Sequence, residues 1–309
     1  MKVSITLGCL IVVLAAAGFT YAYHLKNSVK ETAHAIYEPV VTKSDHGKKV
    51  KKTPTLPKKD PQPLSILLMG VDQRPHDVGR TDTLIVLTLN PKTNQMQMIS
   101  IPRDTRVSIP GKGIHKINAA YAYGGTALTL QTVQDYLHIP IDYYIRLDME
   151  GVSKLVDAVG GIRVYNDLSW HDEGYYDKGF YYHKGWLELN GPQTLGFVRM
   201  RHLDPRGDFG RNKRQREVIL AIVDKAADFS NLTKYDALLE AIKDSVRTDM
   251  KLADMKFIAQ HYRDCRQHVK EYEVKGHGEI IDGLWYLVVP DEEVQKVHQM
   301  VMAGLGSEK

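Results

Sequence analysis

Residues 64–104 read LSILLMGVDQRPHDVGRTDTLIVLTLNPKTNQMQMISIPRD. The stretch divides into three β segments: LSILLMGVD, TDTLIVLTLN and QMQMISIPRD. NPKTN, between the last two, is rich in turn formers, which predicts a hairpin. TLIVLTL is apolar with little alternation, the pattern of a strand covered on both faces. A sheet buried on both sides needs helices to cover it, and the rest of the chain offers them.

After this stretch, helix and strand patterns alternate. TALTLQTVQDYLH reads as a helix with Thr126 near its N-cap. It is followed by strand DYYIRLD, helix MEGVSKLVDAVG and strand GIRVYN. Two more helices, YDALLEAIKDSV and LADMKFIAQHY, precede strands near VKEYEVKG and LWYLVVP, and a closing helix starts at Asp291. This order predicts one α/β/α sandwich with a mixed central sheet over residues 64–309. A length of 309 residues allows one large domain or two ordinary ones, and 43% apolar with 25% charged residues fits a filled core.

Upstream, Val3–Tyr23 carries no charge over about twenty residues, enough to cross the ~30 Å hydrocarbon core as a helix. Residues 1–23 are therefore read as a single transmembrane anchor. A cleaved signal peptide is the rival reading, because LAAAG offers small residues for cleavage. Residues 24–63 hold nine lysines against Glu31, Glu38, Asp45 and Asp60 and end in TPTLPKKDPQP, which reads as a semi-rigid spacer. An ordered edge of the domain is the alternative. Once this basic segment is set aside, the net charge of +4 resolves into a mildly acidic domain, and nucleic acid is not an expected partner.

Within that domain one run is anomalous. RMRHLDPRGDFGRNKRQR, residues 199–216, has seven Arg or Lys side chains opposed only by Asp204 and Asp208. From Arg211 the pattern is helical: Val218, Ile219, Ile222 and Ala226 form an apolar stripe that extends backwards to Gln215, Arg214 and Arg211. A solvated basic face is the plain explanation of a charge run. Cations on a core-facing stripe would be costly without an anion, so an anion site at the helix N-terminus is the better reading. Asp208 is an N-cap candidate, and Arg199 and Arg201 would point the same way on a strand.

Two further clusters follow strands. Asp72 and Asp82 stand at neighbouring strand ends, as two carboxylates sharing a hard divalent cation with phosphate oxygens would. Arg74 and Arg80 lie beside them, with Arg80 on the side of Asp82, and a surface Arg–Asp pair is the plain alternative for each such cluster. SIPRDTRVSIP contributes Arg103 and Asp104, and HKINAAYAYGG contributes Lys116 and Asn118 as polar contacts. Cys9 and Cys265 are too isolated for a zinc site, and no P-loop or GxSxG elbow occurs.

Taken together, GVDQR, GRTDT, SIPRDT, HKINAAYAYGG, LDMEGVSKLVDAVGGI, LNGPQTLGFVRMRH and DFGRNKRQR resemble the LytR-CpsA-Psr family of bacterial cell-wall phosphotransferases. The resemblance implies a single-pass protein of the bacterial cell membrane with an extracytoplasmic catalytic domain. Its expected substrate is a polyprenyl pyrophosphate-linked glycan, and its acceptor a peptidoglycan hydroxyl, with release of polyprenyl phosphate. By the same resemblance Asp72 and Asp82 hold Mg²⁺, and Arg80, Arg103, Arg199, Arg201, Arg211 and Gln215 grip the pyrophosphate. Lys116 stands nearby, and Asp72, Arg80 and Arg103 are the catalytic candidates. Pro192 and Gly196 stand where Glu and Ala are expected, and both weaken a helix. A polyprenyl pyrophosphate phosphatase and a membrane-tethered transcriptional regulator are the rival functions.

Overall fold

The structure, a computed structural model, describes residues 24–43, 49–51, 60–72, 78–227 and 235–306. A helix over 24–36, α1, leads to β1 (Val41–Lys43) and β2 (Lys49–Lys51), which pair with each other. β3 (Leu64–Asp72), β4 (Arg80–Asn90) and β5 (Gln95–Ser100) then form an antiparallel meander. The hairpin predicted at NPKTN closes as expected. Asn90 Oδ1 accepts the Lys92 amide at 3.1 Å, and Asn94 takes the left-handed conformation that closes the turn.

A small hairpin, β6 (Arg106–Ile109) and β7 (Gly113–Lys116), precedes α2 (Ala119–Leu137). That helix starts earlier than expected and breaks at Gly124 and Gly125, so Thr126 opens its second segment. Next come β8 (Tyr143–Asp148), α3 (Met149–Ala158), β9 (Ile162–Asn166), β10 (Trp170–His171), β11 (Tyr181–Tyr182), β12 (Gly185–Leu189), α4 (Gly191–Arg199) and α5 (Asp208–Ala227). The chain finishes with α6 (Tyr235–Ser245), β13 (Val246–Thr248), α7 (Leu252–His261), β14 (His268–Glu273), β15 (His277–Ile281), β16 (Leu284–Val288) and α8 (Asp291–Gly304). Six strands make the central sheet in the order β13-β8-β3-β4-β5-β14. The pairs β3/β8 and β5/β14 are parallel and the others antiparallel, so the sheet is mixed.

β4 is buried along nearly its whole length, as its unbroken apolar run predicts. Leu84 and Val86 face a core completed by Val133 and Leu137 of α2 and Val297 and Val301 of α8. Ile85, Leu87 and Leu89 face the other way, onto Ile219 and Leu220 of α5 and Met255 and Ile258 of α7. A third cluster joins α3 and α4 to β9 and β12 around Trp170, Tyr182 and Phe197. Two of the predicted strands leave the main sheet: β9 pairs with β12 and β16 with β15, each as a two-stranded ribbon.

Part of the stretch read as a spacer is folded against the domain. Thr32, Ala33, Ile36 and Val40 are buried, and Arg146 donates to both Glu38 carboxylate oxygens, at 3.2 and 3.0 Å. Residues 44–48 and 52–59 lie outside the described residues, as do the proposed anchor and Arg74. Among the described residues no helix is long and apolar enough to cross a membrane.

Candidate active site

One end of the central sheet collects the chemistry. β3 and β5 finish there, and antiparallel β4 begins there, so Asp72, Asp82 and Arg103 emerge close together. A β-bulge sharpens this. Gly70 pairs with Thr83 and Val71 with Thr81, which leaves Asp82 as the unpaired residue, its side chain re-aimed by the bulge. Arg103 sits in a turn in which the Thr105 amide donates to the Pro102 carbonyl at 3.0 Å. Its Nη1 donates to Asp82 Oδ1 at 2.8 Å, and its Nε is 3.3 Å from Asp208 Oδ2.

The cationic run supplies the opposite wall from helices. Arg199 ends α4 and Arg201 follows it, so the pair sits at a helix terminus and not on a strand. Pro192 is harmless in the first turn, where an amide would be unpaired anyway, and Asn190 and Gln193 form a capping box. Gly196 has a positive reason to lack a side chain, since a methyl there would overlap Tyr182 Oη and Asp172 Oδ2. Arg199 Nη2 reaches Asp72 Oδ1 at 3.4 Å and Glu150 Oε1 at 3.2 Å.

The buried stripe of α5 separates into two roles. Arg214 is 2% exposed and is consumed structurally: it donates to Asp204 Oδ2 at 2.6 Å and to the Phe197 and Met200 carbonyls. Gly210 leaves room for the Asp204 carboxylate at that point. Arg216 is held by Glu271 at 2.6 Å and Ser100 Oγ at 2.7 Å. Arg211 and Gln215, one turn apart and both buried, face the other way, into a cavity. Asp208, expected as the cap before α5, is its first residue, and its carboxylate turns to Arg103, Arg201 and Arg211 instead.

That cavity, of about 230 Å³, is lined by Asp72, Asp82, Arg103, Arg199, Arg201, Arg211 and Gln215, with Tyr175 and His202 at its side. Burial alone would lower the pKa of Arg103, but Asp82, Asp208 and Asp104 together hold it above its ordinary value. Arg211 goes the other way: burial first, then the adjacent Arg103, lower its pKa against the pull of Asp208 and Asp82. Among the described residues Arg211 Nε and Gln215 Oε1 are buried with no hydrogen-bond partner. Such groups cost about 1–3 kcal/mol each when left unmade. A phosphate oxygen accepting from Arg211 would relieve the larger part of that cost.

A second cavity of similar size adjoins the first and shares Met149, Val198 and Gln215 with it. Its remaining lining is almost wholly apolar and includes Leu68, Ile145, Leu155, Val218 and Ile222. Side by side, the two suit an anionic head and a hydrocarbon tail. Asp72 and Asp82 also suit a hard divalent cation, which takes one or two carboxylates and completes its shell with phosphate oxygens and water. No group of three or more His, Cys, Asp or Glu side chains able to hold a metal occurs among the described residues. Two protein carboxylates are nevertheless enough for magnesium of that habit.

Most of the predicted site residues therefore converge, and two stand apart. Arg80 is exposed, opposite Asp72 in register, and does not line the cavity. Lys116 is one carboxylate removed: its Nζ is 2.8 Å from Asp104 Oδ1, and Asp104 Oδ2 is 3.6 Å from Arg103. Asn118 braces the turn through its backbone amide, which donates to the Arg103 carbonyl at 3.2 Å. Sequence reasoning missed the contacts Asp208 makes, and also Tyr175, His202, Met149 and Val198. For Asp208 a signal existed, because an acid placed among seven cations has a charge to balance.

The LytR_cpsA_psr family model matches residues 23–302. Over 288 residues, 92% of this chain and 91% of the relative, the chain is 43% identical to the polyisoprenyl-teichoic acid–peptidoglycan teichoic acid transferase TagU of Bacillus anthracis. A crystal structure of B. subtilis TagU superposes with a TM-score of 0.65 at 37% identity, covering 80% of this chain and 98% of that one. A structure of TagT bound to LI-WTA superposes with a TM-score of 0.68 at 26% identity, covering 82% and 97%.

Proposed function

The chain belongs to the LytR-CpsA-Psr family, and from that premise we propose a membrane-anchored, magnesium-dependent phosphotransferase. It moves an anionic glycopolymer of the teichoic acid or capsule type from a polyprenyl pyrophosphate carrier to a peptidoglycan hydroxyl and releases polyprenyl phosphate. One observation carries the reading. A cavity lined by four Arg and two Asp side chains adjoins an apolar one and shares Met149, Val198 and Gln215 with it. A diphosphate suits the first, and the leading isoprene units of a polyprenyl chain suit the second. The similarity to TagU, whose name specifies teichoic acid transfer to peptidoglycan, supports the choice of donor and acceptor.

In this reading the acceptor hydroxyl oxygen bonds to the glycan-side phosphorus, and the bridging P–O bond breaks toward polyprenyl phosphate. Arg103, Arg199, Arg201 and Arg211 hold the diphosphate and neutralise charge as it gathers on the leaving phosphate. Asp72 and Asp82 would hold magnesium, which supplies Lewis-acid stabilisation of phosphoryl oxygens when bound. A loose phosphoryl-transfer transition state asks little of a base. Asp72 is the candidate carboxylate for the hydroxyl proton, although metal ligation would weaken it in that role.

The test uses the full chain in detergent with labelled lipid-linked glycan and peptidoglycan fragments, with and without a chelator. Coupled product that disappears on chelation is expected. Release of phosphate with no coupled product would identify a pyrophosphate phosphatase instead. A reporter fused after Lys309 checks the membrane side, and a cytoplasmic result would exclude the cell-wall reading.

A further inference from the structure

The β9/β12 ribbon turns one face to solvent, and that face is aromatic. Along the two strands the exposed positions are Arg163 and Tyr165, then Trp186 and Glu188, and in register Trp186 pairs with Tyr165. Trp186 is 57% exposed and Tyr165 44%. The two rings meet edge to face at 5.5 Å, and the Arg163 guanidinium lies 4.6 Å from the Trp186 ring centroid. The core has no use for these side chains, since the inward positions Val164, Leu187 and Leu189 already complete the cluster behind the ribbon.

This face runs into a groove of about 560 Å³ that Arg163 and Glu188 line together with Asp157, Gln193 and Lys225. The charges there are of mixed sign, two acids and two bases, so the groove selects neither an anionic polymer nor a cationic one. Flat apolar rings bordered by amide and charged side chains match a sugar, which has an apolar ring face and a rim of hydroxyls. The placement is also apt. Gln193 stands in the first turn of α4 and Arg199 in its last, which separates groove from cavity by roughly 10 Å at 1.5 Å per residue. Tyr175, exposed and lining the charged cavity, comes from the segment between β10 and β11, next to this ribbon in the chain.

We propose that the Tyr165–Trp186 face and its groove form a glycan-strand subsite that seats the neutral sugar backbone of the peptidoglycan acceptor, a few sugar residues from the charged cavity. The inference rests on the transferase reading for its choice of acceptor, but the binding event is separable from transfer.

The full chain in detergent is titrated with a chitin tetrasaccharide and with an uncrosslinked, muramidase-released peptidoglycan fragment, followed by calorimetry. Saturable binding is expected, weakened at least tenfold in Trp186→Ala and Tyr165→Ala and largely restored in Trp186→Phe. In coupled assays Trp186→Ala raises the acceptor KM about tenfold with little change in kcat. Wild-type affinity in both alanine variants overturns the subsite even if transfer is intact. Conversely, Trp186-dependent binding in a protein that shows no transfer retains the subsite and removes the transferase reading. Concentration-dependent dimerisation abolished by Trp186→Ala, with no glycan binding, would assign the face to a second copy and overturn the proposal.

Discussion

Asp208 Oδ2 lies 3.3 Å from Arg103 Nε, so the first acid of α5 clasps the turn after β5. The same oxygen is 3.2 Å from Arg211 Nη2, and Oδ1 is 3.5 Å from Arg201. One carboxylate thus keeps three mutually repelling cations together, and it occupies the Arg211 Nη2 donor that a diphosphate would use.

Because Asp208 competes with the ligand for these three cations, Asp208→Asn should bind inorganic pyrophosphate several-fold more tightly than the wild type. The unliganded variant should melt at a lower temperature. Thermal melts across a pyrophosphate titration measure both effects. Weaker binding in the variant would show that Asp208 shapes the site more than it blocks it.

Arg103→Ala should reduce transfer by about two orders of magnitude or more, the usual cost of losing a donor to developing charge, and Asp82→Ala should do the same by removing a proposed magnesium ligand. Neither side chain belongs to an apolar core cluster, so circular dichroism and the melting curve should stay close to wild type. Activity lost only in step with unfolding would make both residues structural.

A methyl at position 196 has no room beside Tyr182 Oη and Asp172 Oδ2. Gly196→Ala should therefore destabilise the protein by about 1–3 kcal/mol, the range for overpacking, and lower the melting temperature by several degrees. Tyr182→Phe, which removes the hydroxyl, should recover part of the loss when combined with it. An additive double variant would place the strain elsewhere.

Asp249 is buried, and burial pushes its carboxyl up to about 6 despite the hydrogen bond from the Tyr144 amide. The native state thus holds this proton more firmly than the unfolded chain does. Its contribution to stability is full below pH 4 and falls by about 3 kcal/mol as pH rises through 6. Asp204 is opposite in sign. Burial opposes its ionisation, but Arg206 and Arg214 bring it down to about 2, so its contribution is lost as pH drops from 4 toward 2. Urea denaturation at a series of pH values should show both slopes, and Asp249→Asn should flatten the first only.

Much of this was legible in the chain because periodicity reports burial. The unbroken apolar run of β4 announced a strand covered on both faces, and the stripe through Val218 and Ile222 led back to Arg211 and Gln215. Partnership was harder to see. Arg214 lies on the same stripe, yet Asp204 and two carbonyls claim it, and nothing local distinguishes it from Arg211. The bulge that frees Asp82 depends on cross-strand register, which spacing within one strand does not encode. The two-residue spacing of Arg199 and Arg201 would suit a strand, whereas the Asn190–Gln193 capping box commits the segment to a helix.

The seating of α1 has a mechanical consequence. The uncharged run ends at Tyr23, and by Thr32 the chain is already wedged into the domain, with Arg146 clamped on Glu38. If that run is the anchor we propose, the catalytic unit is mounted on a short post rather than on a swinging leash. The height and tilt of its mouth above the bilayer are then set by this joint, and a carrier lipid diffusing in the plane meets an opening held at one elevation.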